Sequence, residues 1–239
     1  MLKLSANIST MFTEHAPLDR LAAAAAAGFS AVEMQFPYEL DLAALVAAQR
    51  AARVEFVVIN IPAGDFAGGE RGIACLPGRH GEFLQAVARA VEYAAALGCR
   101  RLNCLAGNRP EGENPSRCWD MLADNVAAAA DVLAPHGMQL LLEPLNRRDN
   151  RHFLLGTMDE VLRLRAAAGR TNIALQHDIY HAYASGEGEL PELARRIGQI
   201  GHIQFSDYPG RGQPGTGEID WPAFFNWVQE LPYTSRRIF

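Results

Sequence analysis

Cysteine is sparse in this sequence: Cys75, Cys99, Cys104 and Cys118 are the only four in 239 residues. None forms a C-x-x-C pair, which argues against zinc and dithiol redox motifs and against a disulfide-stapled secreted scaffold. The four read as reduced, buried thiols. Long apolar runs are missing as well. The longest alanine run, Ala22 to Ala27, is far shorter than the ~20 apolar residues that cross a bilayer. The N-terminus has no charged segment followed by an apolar one, so the expectation is a cytoplasmic protein without a membrane partner. No Lys/Arg run interrupts a composition of 22 basic and 27 acidic residues, with formal net charge −5. Such a surface does not attract a phosphate backbone, and nucleic acid is not an expected partner. The signatures G-x-S-x-G, S-x-x-K and H-E-x-x-H do not occur, which removes support for serine-hydrolase and zinc-protease chemistry.

What is present is apolar mass: 49% of the residues are hydrophobic and 21% charged, the balance of a globular chain with a core. Short apolar runs alternate with alanine-rich helical stretches at the spacing of a βα unit. The pattern predicts strand 2–7 with helix 17–27, strand 31–36 with helix 41–53 capped by Asp41, strand 55–60 with helix 81–97, and strand 101–105 with a helix ending near 135–137. It continues with strand 138–143 and a helix opened by a capping box at Thr157 and Glu160, strand 173–178 with helix 190–197, and strand 201–205 with helix 221–231. Seven near-continuously apolar strands in this rhythm predict an α/β fold of the (β/α)₈ TIM-barrel type, one domain over 1–239. The eighth strand is expected to be missing, because after Leu231 only Ile238 and Phe239 form an apolar run. Open edges on the first and last strands would then invite aggregation or completion by another copy, so a homo-oligomer and a poorly stable monomer are expected.

On a parallel barrel the C-terminal strand ends and the loops after them build the active site. Glu143 ends the apolar run Leu140-Leu141-Leu142, Asp178 ends Gln176-His177-Asp178, and Gln204 stands near the end of His202-Ile203-Gln204-Phe205. Two carboxylates and a neutral carbonyl suit a hard divalent cation, Mg²⁺ or Mn²⁺, better than zinc. Glu143 is also the candidate for moving a proton. Alone, Gln204 would read as an interior amide bonded to its neighbours. His181, three residues after Asp178, falls on a loop or first helical turn, either donating a hydrogen bond to a substrate oxygen or exposed to water. Arg211, in a glycine-rich loop, either holds a substrate carboxylate or is solvated. That loop lacks the pattern of a phosphate-binding loop. The long connection 61–79 carries Asp65, Glu70 and Arg71 and reads equally as a functional loop or a mobile excursion. His177 and His202 are expected to alternate with inward residues and to be structural.

The segments Ser5-Ala6-Asn7-Ile8-Ser9, Phe36-Pro37-Tyr38, Pro62-Ala63-Gly64-Asp65, Gly69-Glu70-Arg71-Gly72-Ile73-Ala74-Cys75, Pro77-Gly78-Arg79, Glu143-Pro144-Leu145-Asn146, Asp178-Ile179-Tyr180-His181 and Pro214-Gly215-Thr216-Gly217-Glu218-Ile219 occur in order along the chain. Together they resemble the hydroxypyruvate isomerase family of the xylose-isomerase-like barrels. The resemblance implies reversible conversion of hydroxypyruvate to 2-hydroxy-3-oxopropanoate (tartronate semialdehyde), a small hydroxy-oxo acid. It implies that Glu143, Asp178 and Gln204 match three metal-site positions, and that Glu143 matches one of two catalytic glutamates. His181, Arg211 and Glu70 are then the substrate-binding set. The second glutamate of the family follows a Tyr-Xaa-Gly-Trp segment, whereas here Tyr233-Thr234 runs into Ser235-Arg236-Arg237. An isomerase of 2-oxotetronate and an inactive, C-terminally altered member are the alternatives within the family. An abasic-DNA endonuclease on the same barrel is opposed by the net charge.

Overall fold

The computed structural model describes residues 4–230. Strands β1 (Ser5–Asn7), β2 (Ala31–Met34), β3 (Glu55–Asn60), β4 (Arg101–Cys104), β5 (Gln139–Leu142), β6 (Ile173–Asp178) and β7 (Ile200–Gln204) form one parallel sheet in which each strand pairs with the next. Between and after them come helices α1 (Asp19–Ala26), α2 (Leu42–Ala52), α3 (His80–Leu97), α4 (Pro115–Leu133), α5 (Met158–Ala168), α6 (Ile179–Ala184), α7 (Leu190–Arg196) and α8 (Trp221–Glu230). This is the TIM-barrel type of fold, with seven strands among the described residues. The predicted strand start at Leu2, the helix end at Leu231 and the tail at 232–239 lie outside them.

Local chemistry sets the element boundaries. Asp41 accepts the Ala44 N–H at 2.8 Å and opens α2, and Thr157 accepts the Glu160 N–H at 3.2 Å and opens α5. The predicted capping box closes differently at its second arm: the Glu160 carboxylate takes the Gly156 N–H at 2.6 Å, one residue before the cap. Gly98, at φ 67°, ends α3 in the left-handed region that glycine enters freely. Helix α6 is absent from the sequence-based pattern. It exists because Asp178 Oδ1 accepts the Tyr180 N–H at 2.9 Å and caps a single short helix directly at the strand end.

Side chains alternate across the sheet with the period of two that strands impose. Leu140, Leu142, Ile173 and Leu175 join the large core beneath the helices. Leu141 and Ala174 instead form a separate cluster with Val58 in the interior. The same alternation carries Glu143, Gln176 and Asp178 onto that interior face, above the apolar cluster. The sheet curls enough for His202 of β7 to reach Glu33 of β2 at 2.7 Å, with Gln204 donating to the same carboxylate. His202 therefore shares the interior face with Gln204, two residues on, which corrects its expected outward placement. His177, one residue out of phase, faces the helices beside Leu193 and Phe224.

The connection 61–79 is no loose excursion. Ile73, Ala74 and Cys75 are buried, the Cys75 N–H donates to Ala106 O at 2.8 Å, and Asn125 donates to Ala74 O at 2.7 Å. All four thiols are free and buried. Burial pushes Cys75 and Cys104 up to about 12 and Cys99 to about 11, out of the reactive range. Among the described residues no helix is long and apolar enough to cross a membrane.

Candidate active site

The strand ends bring Glu143 and Asp178 together. With His181, in the first turn of α6, they present three ligand-type atoms within 4.8 Å of one another, all three residues buried. Glu143 Oε2 accepts from Asn103 Nδ2 of β4 and from Gln176 Nε2 of β6, each at 2.9 Å. Gln176 Nε2 also donates to Gln204 Oε1 at 2.9 Å, and the Gln204 amide donates to Glu33. Glu33 further accepts from Ser5 Oγ at 2.9 Å. A polar chain thus links two buried carboxylates through two amides.

The two carboxylates differ in protonation because their neighbours differ. At Glu143, burial first and the Asp178 charge second push the carboxyl from 4.5 up to about 8, against the Asn103 hydrogen bond and the Arg211 charge. At Glu33, burial also works against ionisation, but pairing with His202 and hydrogen bonds from Gln204 and Ser5 hold the carboxyl below its ordinary value. The polar chain thus joins a carboxyl kept as an acid to one kept as an anion.

His181 has a fixed tautomer. The Asn146 backbone N–H, which can only donate, points at Nδ1 at 3.2 Å, and Asn146 Nδ2 lies 2.7 Å from the same nitrogen. Nδ1 is therefore an acceptor. Burial lowers the ring's pKa and keeps it neutral, so its one proton sits on Nε2, 3.9 Å from Asp178 Oδ2. That proton makes His181 a donor into the site and leaves cation binding to the oxygens.

Arg211 reaches the cluster from the β7–α8 loop, where its Nη2 donates to Asp178 Oδ2 at 2.6 Å and its guanidinium lies 4.8 Å from the Tyr180 ring centroid. Its Nη1 stands 3.3 Å from His181 Nε2. Two N–H donors converge there beside Asp178 Oδ2, the anionic oxygen that Arg211 now holds. Asp207 organises the loop: buried, it accepts from Gly215 N at 2.6 Å, Tyr208 N and Trp221 Nε1 at 2.8 Å, and Gly217 N at 2.9 Å.

Glu70 behaves differently from its predicted role. Its carboxylate holds Arg79 and the Asp65 N–H (2.6 Å for the latter), while Arg71 covers the Phe66 ring at 4.3 Å. These contacts make Glu70 a brace of the 61–79 loop, because both its oxygens are already engaged. Conversely, Glu33, Asn103, Gln176, Asn146 and Asp207 belong to the site's framework without standing out in the sequence. The signal for Glu33 and Asn103 is a polar side chain inside an otherwise apolar strand.

The donor set fits a hard divalent cation. Two buried carboxylates face one another, a guanidinium already neutralises one of them, and Asn103 Oδ1 and Gln176 Oε1 beside Glu143 are buried acceptors without a partner among the described residues.

Residues 21–239 match the model of the xylose isomerase-like TIM barrel family. The chain is 41% identical to hydroxypyruvate isomerase of Escherichia coli and 40% identical to 2-oxo-tetronate isomerase of Cupriavidus necator, in both cases over 98% of this chain and 90% of the relative. It superposes with a TM-score of 0.93 on a crystal structure titled AP endonuclease, family 2, from Brucella melitensis, at 37% identity over 98% of this chain and 90% of that one. Kinship and architecture agree: the chain is an isomerase-type enzyme that belongs to the xylose isomerase-like TIM barrel family.

Proposed function

We propose that the protein interconverts hydroxypyruvate and 2-hydroxy-3-oxopropanoate by moving a proton between adjacent carbons, acting as a single-domain enzyme of the cytoplasm. The observation that carries this reading is Glu143, a buried carboxyl set at about 8 beside two converging donors. Ionised, Glu143 takes a proton from the hydroxyl-bearing carbon. The electron pair moves into the neighbouring carbonyl to give an enediolate, the hydroxyl proton passes from the first oxygen to the second, and Glu143 returns the carbon-bound proton to the other carbon, leaving an aldehyde and a new hydroxyl. The Nε2–H of His181 holds a substrate oxygen, and Arg211, released from Asp178, holds the substrate carboxylate. A divalent cation, Mg²⁺ or Mn²⁺, held by Glu143, Asp178 and the Gln204 carbonyl would supply positive charge that stabilises a negative substrate oxygen and favours ionised Glu143. Gln176 and Glu33 fix the orientation of the Gln204 amide, whose carbonyl accepts from Gln176 Nε2 and would have to leave that bond to take part in the cation site. A four-carbon 2-oxotetronate is the second substrate to assay, since relatives named for each activity stand at near-equal identity. A DNA substrate is disfavoured by the formal net charge of −5.

The test is turnover of hydroxypyruvate and of 2-oxotetronate with Mg²⁺ or Mn²⁺. Glu143→Gln is expected to cost about 10²–10⁴-fold in kcat, the usual worth of a positioned acid/base group, with the fold retained. Folded protein that binds the cation and turns over neither acid would mark an inactive member of the family.

A further inference from the structure

Between the first turns of α4 and α5, away from the Glu143 cluster, lies a cleft of about 580 Å³. Its walls carry Arg109, Arg147, Arg151 and Arg163 together with Ser116 and Trp119. The only carboxylates in the lining, among the described residues, are Asp120 and Glu160. Four guanidinium groups against two carboxylates leave a local excess of positive charge in a chain whose formal net charge is −5. The cleft also lies at the start of the 19-residue α4, the positive end of its dipole.

The guanidinium groups are unequally committed. Arg147 is paired with Glu160 at 2.8 Å, and Arg109 donates to the Glu113 carbonyl at 3.0 Å. Arg163 lies 5.5 Å from the Trp119 ring centroid. Arg151 is exposed and has no hydrogen-bond or ion-pair partner among the described residues. Guanidinium forks match phosphate oxygens bidentately. A phosphate monoester carries close to two negative charges at neutral pH, as many as the lining leaves uncompensated. The volume is that of a small-molecule pocket, with room for an organic group beside Trp119 as well as the phosphate.

We propose that this cleft is a second binding site, separate from the isomerase site, that takes a phosphorylated small molecule with its phosphate on Arg109 and Arg151 and its organic part against Trp119. The test is calorimetric titration of the full chain with glycerol 3-phosphate and with AMP at constant ionic strength, alongside an Arg109→Gln/Arg151→Gln variant. Saturable binding of either ester, weakened at least about tenfold in the variant (about 1.4 kcal/mol), is expected. Hydroxypyruvate turnover should be unchanged by Arg151→Gln. The proposal is overturned by absence of saturation, by equal affinity in the variant, or by heats that sodium chloride reproduces. A self-association that Arg151→Glu abolishes, without ester binding, would assign the cleft to a second copy instead and overturn it equally. Neither ester binding nor self-association depends on the isomerase reaction.

Discussion

Glu143 is expensive to bury as an anion, and the fold keeps it as an acid. Its folded pKa of about 8 stands above the ordinary 4.5. The stability it contributes is therefore fully present below about pH 4.5 and is lost as the pH rises through 8, because the unfolded chain releases the proton first. Burial first, then the charged groups facing it, Asp178, Arg211 and Glu33, set how large that loss is. In the absence of divalent cations, Glu143→Gln is expected to flatten the decline. At pH 8.5 the variant should exceed the parent by a few kcal/mol, since a carboxyl raised tenfold in proton affinity gains about 1.4 kcal/mol, with the two nearly equal at pH 5. Urea midpoints at the two pH values check this, and parallel profiles would refute it. Glu143 and Asp178 are legible in the sequence because each is a carboxylate at the end of a predicted strand. Glu33 and Asn103 are not, because a single polar residue inside a strand gives no indication of whether its side faces the interior or water. His202 is the instructive miss: it stands two residues from Gln204 and must share its face.

At the scale of elements, the loops on the C-terminal side owe their shape to a few side chains. Asp207 is the clearest: burial opposes its ionisation, yet hydrogen bonds from Trp221 and from the N–H groups of Gly217, Ile219 and Gly215 hold its carboxyl well below the carboxylate range. An amide at this position offers one acceptor where the loop needs two, and its NH₂ would face the backbone donors. Asp207→Asn is therefore expected to lower the melting temperature by several degrees and to raise KM for a carboxylate substrate more than it lowers kcat, because Arg211 loses its platform. Scanning calorimetry with steady-state kinetics checks this; an unchanged KM would sever Asp207 from substrate binding. The seven strands and their helices are readable from hydrophobic period and caps, as at Asp41 and Thr157. Helix α6 is hidden because the residue that starts it, Asp178, reads as a cation ligand, while one of its oxygens caps the helix. The 61–79 loop carries its order in contacts made at long range, such as Asn125 to Ala74, which no local pattern encodes.

For the molecule as a whole, proton and cation compete for one interior. The folded chain binds a proton at Glu143 up to about pH 8, and a divalent cation among the same oxygens requires that carboxylate free. Cation binding at pH 6.5 is therefore expected to release close to one proton from Glu143, and at pH 9 close to none, with affinity rising between the two. A ligand seen only by the native state adds RT ln(1 + [L]/Kd), about 2.7 kcal/mol at a hundredfold excess over Kd, which for a chain of this size raises the melting temperature by roughly 5–10 °C. Calorimetry of Mn²⁺ binding in buffers of different ionisation enthalpy counts the protons directly. In Glu143→Gln the count at pH 6.5 should fall toward zero along with most of the thermal shift. Proton release that persists in this variant would place the titrating group elsewhere and break the link between the raised carboxyl and the cation.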